Sequence, residues 1–480
     1  MTGLRAIAAW PGPALIATMV AAVAAGAAAA PTLLLTVALA PLLALVQPAR
    51  EPAARNPVAL AISLAVAGLL LWAHLTVLAD AAALLGARRW QACVLATALA
   101  LLATVMPNAE RWRGVALTIG VAALGVVLIV AGTTLGRAPW AAWRAAAARP
   151  ALVFGGGSPW VDDGARFVRS TTVPFLEGQR VVAVAPGTFR IVETDGARAV
   201  VRDWRLGAGD ALSLRPGDTL TAEPGSRLRF EPGKRVPGAA PSGSAWADAA
   251  PRASPIDALA LVVTVGLGGC ALMPGLARRT SVASALALAI AAGVVSWGAY
   301  ATLLAPEAGL AGSPVEALLS LSRAARWPGY GLSPSVLTGL VGLGLLGLFV
   351  AAAAVLRHPI TEACGARSSQ LWGAVLVGAA AVAATLDGVA PWTPLAAGLG
   401  LAGAAVAAPR FAGADGARIA SWPASAVGGL IGALVFVAVI AYGTRLPGPL
   451  ATLRDAPALA AAPAAWLIVK LLRREARTAR

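Results

Sequence analysis

The sequence is poor in charge: only 12% of its 480 residues are Asp, Glu, Lys or Arg, whereas a soluble domain carries about a quarter. That shortage excludes a water-wetted surface over most of the chain. With 58% apolar residues and a mean hydropathy of +0.76, lipid is the expected solvent. The three cysteines, Cys93, Cys270 and Cys364, show no CxxC spacing, which excludes a disulfide framework and a cysteine metal site. Two histidines, His74 and His358, are too few for a histidine-built metal centre. No catalytic, metal or cofactor motif stands out, so neither a cofactor nor a catalytic residue is expected.

Lysine is nearly missing as well. Lys234 and Lys470 are the only two, and arginine carries almost all of a formal net charge of +16. Abundant alanine and arginine point to a GC-rich bacterial coding bias. The basic residues fall between apolar runs rather than along one helix or tail, which argues for membrane orientation and against a nucleic-acid partner.

What is present is a series of apolar runs near the ~20 residues that cross a bilayer. The stretch from Ile7 to Val46 is too long for a signal-peptide core and reads as an uncleaved start-anchor, two helices with a turn near Pro31. Further spans run from Pro57 to Ala79, Trp90 to Met106, Gly114 to Thr134, Ile256 to Leu276, Val282 to Leu304, Ser335 to Leu356, Leu371 to Leu386, Trp392 to Ala408, Ala424 to Tyr442 and Ala456 to Leu472. The expected fold is therefore an α-helical polytopic membrane protein of about twelve transmembrane helices, with a small all-β, barrel- or sandwich-like soluble domain inserted. Residues 1–135 form an N-terminal bundle of about five helices, 136–150 an interfacial helix, 151–235 the β-rich domain, 236–253 a linker and 254–480 a C-terminal bundle of about seven helices.

Cytoplasmic loops retain arginine. With Arg5 inside, alternate loops carrying Arg50 and Arg55, Arg111 and Arg113, Arg278 and Arg279, Arg357 and Arg367, and Arg410 and Arg418 also fall inside, as does the tail with Arg473 and Arg474. The expected location is the bacterial inner membrane, with both termini cytoplasmic and the central domain extracytoplasmic. Arg88, Arg89, Arg137, Arg144 and Arg149 then lie outside, against the trend. Two short segments, Gly136 to Pro150 and Ser313 to Trp327, carry Trp and Arg among small or leucine residues and suit helices lying at the headgroups, or helices packed on the domain.

The central segment changes chemistry from Phe154 onward, with charges of both signs among short β-prone runs. Six strands are expected: Arg180 to Ala185, Thr188 to Glu193, Ala197 to Asp203, Ala211 to Leu214, Asp218 to Ala222 and Arg227 to Glu231. Thr194-Asp195-Gly196 signals a hairpin, and Pro-Gly pairs at Pro186, Pro216, Pro224, Pro232 and Pro237 fit type II turns. Arg215 to Leu220 is similar to the opening of a LysM glycan-binding repeat and to turns of cupin-like barrels, but the turn at Glu223-Pro224-Gly225 excludes the helices of the first and the domain lacks the histidine cluster of a metal-binding second.

Ionisable groups inside spans mark function by default. His74 is the one candidate well inside a span, as a relay, a ligand contact or a buried imidazole bonded to a carbonyl. Asp162, Asp163, Arg166 and Arg169 form the most concentrated polar group ahead of the strands, suited to a cation or an anionic lipid-linked sugar, and with Arg88 and Arg89 are the candidate substrate contacts; a solvated loop is the simpler explanation. Gly428 and Gly432 form a GxxxG pair for helix packing, either within the bundle or with other envelope membrane proteins. Membrane lipids are the other expected partner. Three functions fit: a non-catalytic scaffold, assembly or export component presenting the β-rich domain; a transporter or channel with that domain as a lid; or a membrane-embedded transferase or polymerase acting on a lipid-linked substrate.

Overall fold

The computed structural model describes residues 10–27, 29–46, 57–105, 109–147, 165–166, 170–175, 178–195, 198–231, 255–273, 280–305, 308, 313–326, 332–385, 389–412, 422–443, 453–454 and 456–478. The helices are α1 (Gly12–Ala24), α2 (Ala30–Val46), α3 (Pro57–Leu84), α4 (Arg89–Val105), α5 (Ala109–Leu135) and α6 (Pro139–Ala147) before the strands. After them come α7 (Pro255–Leu272), α8 (Thr280–Leu304), α9 (Pro314–Ala324), α10 (Pro334–Cys364), α11 (Ala366–Thr385), α12 (Trp392–Ala412), α13 (Trp422–Tyr442) and α14 (Ala458–Thr478).

Each of the twelve expected spans contains a helix, but among the described residues eight are long and apolar enough to cross a membrane: α3, α5, α7, α8 and α10 to α13. Three others, α1, α2 and α4, are shorter apolar helices. The last, α14, gathers Lys470, Arg473, Arg474 and Glu475 in its second half, and Lys470 rests with its Nζ 5.3 Å from the Trp466 ring centroid one turn back. The turn between α1 and α2 is made at Gly26, whose φ is +63°, rather than at Pro31, which sits in the first turn of α2 where its missing N–H costs nothing.

The helices share one apolar core. Glycines set the tightest approaches: a Cβ on Gly120 of α5 would lie 3.0 Å from the Gly344 carbonyl oxygen of α10, and one on Gly347 would lie 2.9 Å from the Gly120 Cα. The Gly428–Gly432 face is filled from within the chain, Gly428 by Val469 of α14 and Gly432 by the Ala404 carbonyl of α12 and by Ala465. Of the two expected interfacial segments, α6 lies on α8 with Ala142 buried and Trp140 exposed. The second is different. In α9, Val315 through Ser322 are all buried, and the helix packs among α1, α8 and α10, so its sides are covered by the bundle.

The β-rich segment has its own core. Eight strands, β1 (Ala165–Arg166), β2 (Thr171–Pro174), β3 (Gln179–Ala183), β4 (Gly187–Asp195), β5 (Arg198–Leu206), β6 (Ala211–Leu214), β7 (Thr219–Ala222) and β8 (Arg227–Phe230), form two four-stranded antiparallel sheets ordered β1-β8-β3-β6 and β2-β7-β4-β5. Alternate residues from both sheets, including Val181, Phe189, Ile191, Leu220, Leu228 and Phe230, meet in one apolar cluster, the two-layer solution for sheets wetted on their outer faces. The turns at Pro216-Gly217 and Pro224-Gly225 have the expected form: Asp218 N–H donates to the Arg215 carbonyl and Ser226 N–H to that of Glu223, with Gly217 at φ +94° and Gly225 at φ +88°. Pro186-Gly187 departs from it, because Gly187 opens β4 and pairs with Leu206. Pro232 and Pro237 lie outside the described residues, as does the expected linker.

Candidate functional site

The interior of the bundle carries one imidazole. His74 stands on α3, ten residues before Leu84 and so about 15 Å from that end of the helix, and it is 4% exposed. Its ring meets the start of α1. The Ala14 backbone N–H donates to His74 Nδ1 at 3.2 Å, and a Cβ on Gly12 would come within 2.6 Å of Nε2. The first amides of a helix have no partner inside it, so an imidazole reaching in from α3 satisfies one of them. Accepting at Nδ1 fixes the ring as the neutral tautomer with its hydrogen on Nε2. The sequence suggested a ring donating to a carbonyl; the structure has it accepting from an amide, because α1 begins inside the bundle at the level of His74.

Beside the ring lies a cavity of about 20 Å³, bordered by Trp10, Leu15, Leu70, His74, Met273 and Leu399 among others. That volume holds about one water molecule, and of its lining side chains His74 and Trp10 carry nitrogen. Trp10 is anchored by its indole N–H to the Val37 carbonyl of α2 at 3.3 Å. Two lining helices, α7 and α12, are wound as π-helix over Val262–Leu267 and Gly403–Ala407. They cross there: a Cβ on Gly403 would lie 3.1 Å from the Val263 carbonyl oxygen and 3.2 Å from the Gly268 nitrogen. Wider π turns recur at functional positions, and the period-3.6 apolar pattern of these segments gives no sign of them.

Arg88 and Arg89 separate in role. Arg88 is exposed, and its backbone N–H donates to Gln91 Oε1 at 3.0 Å, which closes the start of α4. Arg89 turns inward, pairing Nη1 with Asp80 Oδ1 at 2.7 Å and donating from Nη2 to the Ala384 carbonyl at 3.0 Å. It thereby ties α3, α4 and α11 together. Nearby, Arg323 of α9 donates to the Leu84 carbonyl at 3.5 Å, and Arg326 N–H donates to Thr134 Oγ1 at 2.7 Å, so α9 links the ends of α3 and α5. Asp162, Asp163 and Arg169 lie outside the described residues. Arg166 is placed by its backbone alone, in β1 opposite Arg227.

A second cavity of about 20 Å³ is lined by Leu71, Arg357, Ile360, Ser369 and Gln370 among others. There Arg357 Nε donates to Ser369 Oγ at 3.3 Å, and Thr361 Oγ1 donates to the same oxygen at 3.0 Å, which fastens α10 to α11 across the turn at Gly365. Among the described residues no group of three His, Cys, Asp or Glu side chains is placed to hold a metal ion. Searches of protein-family models, curated proteins and solved structures find no match for the chain.

Proposed function

We propose that the chain is a non-catalytic scaffold, assembly or export component of the bacterial inner membrane, with about twelve membrane-traversing helices, that holds the β-rich module on the extracytoplasmic side. One observation carries this reading: several interior polar side chains bond from one helix to another of the same bundle. His74 bonds the start of α1, Arg89 joins α3, α4 and α11, Ser322 of α9 meets Thr338 of α10 at 3.1 Å, and Thr302 of α8 reaches the Ala24 carbonyl of α1 at 3.4 Å. Such bonds hold helices in register. The arginine bias of Arg113, Arg357, Arg410, Arg473 and Arg474 supports the orientation, although α9 adds Arg323 and Arg326 to the end that carries Arg88 and Arg137.

The test is isolation of the tagged, natively expressed chain in a mild detergent. Recovery with the same envelope membrane proteins at fixed stoichiometry is the expected outcome; repeated recovery with no other protein contradicts it. A second reading, a transporter or channel, is favoured by α1 starting inside the bundle on His74 and by the crossed π segments, since interrupted helices build transport sites near the membrane midplane. Under that reading His74→Gln changes solute flux in proteoliposomes, whereas a scaffold gives none to change.

A further inference from the structure

A sheet edge is an open row of N–H and C=O groups, and proteins that stay single shorten it, charge it or place proline in it. Three of the four edges in the β-rich module are short, β1 with two residues, β6 with four and β2 with four ending on Pro174, whereas β5 relies on charge alone, at Arg198, Arg202, Asp203 and Arg205. The fourth, β5, has nine residues with neither glycine nor proline and ends its sheet without a strand on its outer side among the described residues. It also overhangs. β7 pairs with β4 only from Phe189 to Val192, while β5 pairs with β4 as far as Arg198. Along this edge Val200 is 43% exposed, Val201 59% and Trp204 37%.

We infer that β5 is the docking edge for a second copy of this chain, pairing antiparallel about a two-fold axis at Trp204 so that the two sheets join into one. The charges select the register. Residues equidistant from such an axis face each other on the same side of the sheet. An axis at Val200 opposes Arg198 and Arg202, and axes at Arg202, Asp203 or Arg205 oppose a charge to its own copy; each juxtaposes like charges. An axis at Val201 opposes no charges at all. An axis at Trp204 alone sets Asp203 opposite the second copy's Arg205, and Arg205 opposite the second copy's Asp203.

The side chains suit that arrangement. Asp203 and Arg205 share the outer face, where Asp203 already accepts from Arg190 Nε at 2.8 Å, so an incoming arginine completes an Arg–Asp–Arg row. On the inner face the two Trp204 rings meet side by side, as aromatic cross-strand pairs do. Five residues, Arg202 to Leu206, pair in each direction.

The experiment uses the full chain in mild detergent or nanodiscs, with Cys93, Cys270 and Cys364 replaced by alanine. Trp204→Cys is expected to give an oxidation-dependent dimer, because opposed Cβ atoms lie about 5 Å apart across a pair, and Val201→Cys none, since that pair is about 20 Å apart in this register. Asp203→Arg and Arg205→Asp should each weaken dimerisation at least tenfold, and the charge-swapped double variant should restore it. A monomeric parent chain at micromolar concentration, a cross-link at 201 instead of 204, or failure of the double variant to recover while it remains folded overturns the proposal.

Discussion

His74 shows how one side chain can be legible and its role not. A lone histidine three quarters of the way along an apolar run announces a buried polar group that needs a partner, but its partner is sixty residues away and exists only because α1 starts inside the bundle. Replacing His74 with leucine strands the Ala14 N–H in an apolar interior, at a cost of about 1–3 kcal/mol. The expected outcome is a lowered thermal midpoint in detergent, with His74→Gln retaining more stability because its amide oxygen still accepts. Gly12→Ala should be at least as damaging, since its φ is +55° and a Cβ would enter the imidazole. At the module surface, Arg190 beside Asp203 holds the carboxyl below its usual range. A depressed carboxylate pKa contributes stability above the unfolded value, about 3.9, and loses it as pH falls through the folded one. Module melting should therefore show an acid loss from this pair only below about pH 4, and Asp203→Asn should reduce it.

Between elements, glycine position decides more than glycine number. The run Gly339, Gly342, Gly344 and Gly347 on α10 reads as one small-residue stripe, yet Gly344 and Gly347 pack against α5 while Gly339 and Gly342 meet nothing within 4 Å. Gly347→Leu should separate α5 from α10 and sharply reduce recovery of folded protein from membranes; Gly342→Leu should leave recovery unchanged. Equal losses would contradict the packing.

The segment from Ser313 to Trp327 carries charge at intervals that suit an interfacial helix. Its burial comes from neighbours far away in sequence, α1 and α10, that no local pattern reveals. Ser313 caps α9 by accepting from the Glu316 N–H at 3.3 Å, so Ser313→Ala should cost about 1 kcal/mol in a chemical denaturation series. In the module, Pro-Gly and Asp-Gly pairs exposed most of the strands. β1 and β2 were not anticipated: β1 has two residues, too few to show alternation, and β2 ends on a proline; Asp195 proved a strand residue paired with Arg198.

The whole molecule has two cores of different origin. Composition alone revealed the helical one, since so little charge leaves lipid as the only solvent for eight apolar helices. The β-rich core rests on Phe175, Phe189 and Phe230, each 2% exposed or less, and Phe230→Ala should cost about 3–5 kcal/mol, read as loss of the module's β signal. What the sequence could not supply is which interior polar groups bond across helices, because helix-to-helix contacts depend on relative depth and rotation. The most direct measurement of the proposed arrangement is labelling with a membrane-impermeant maleimide in intact cells, on chains whose native cysteines have been removed. Glu223→Cys, on an exposed turn of the module, should label, and Arg474→Cys, near the end of α14, should label only after the membrane is opened. Protection of Glu223→Cys, or labelling of both sites in intact cells, would contradict it.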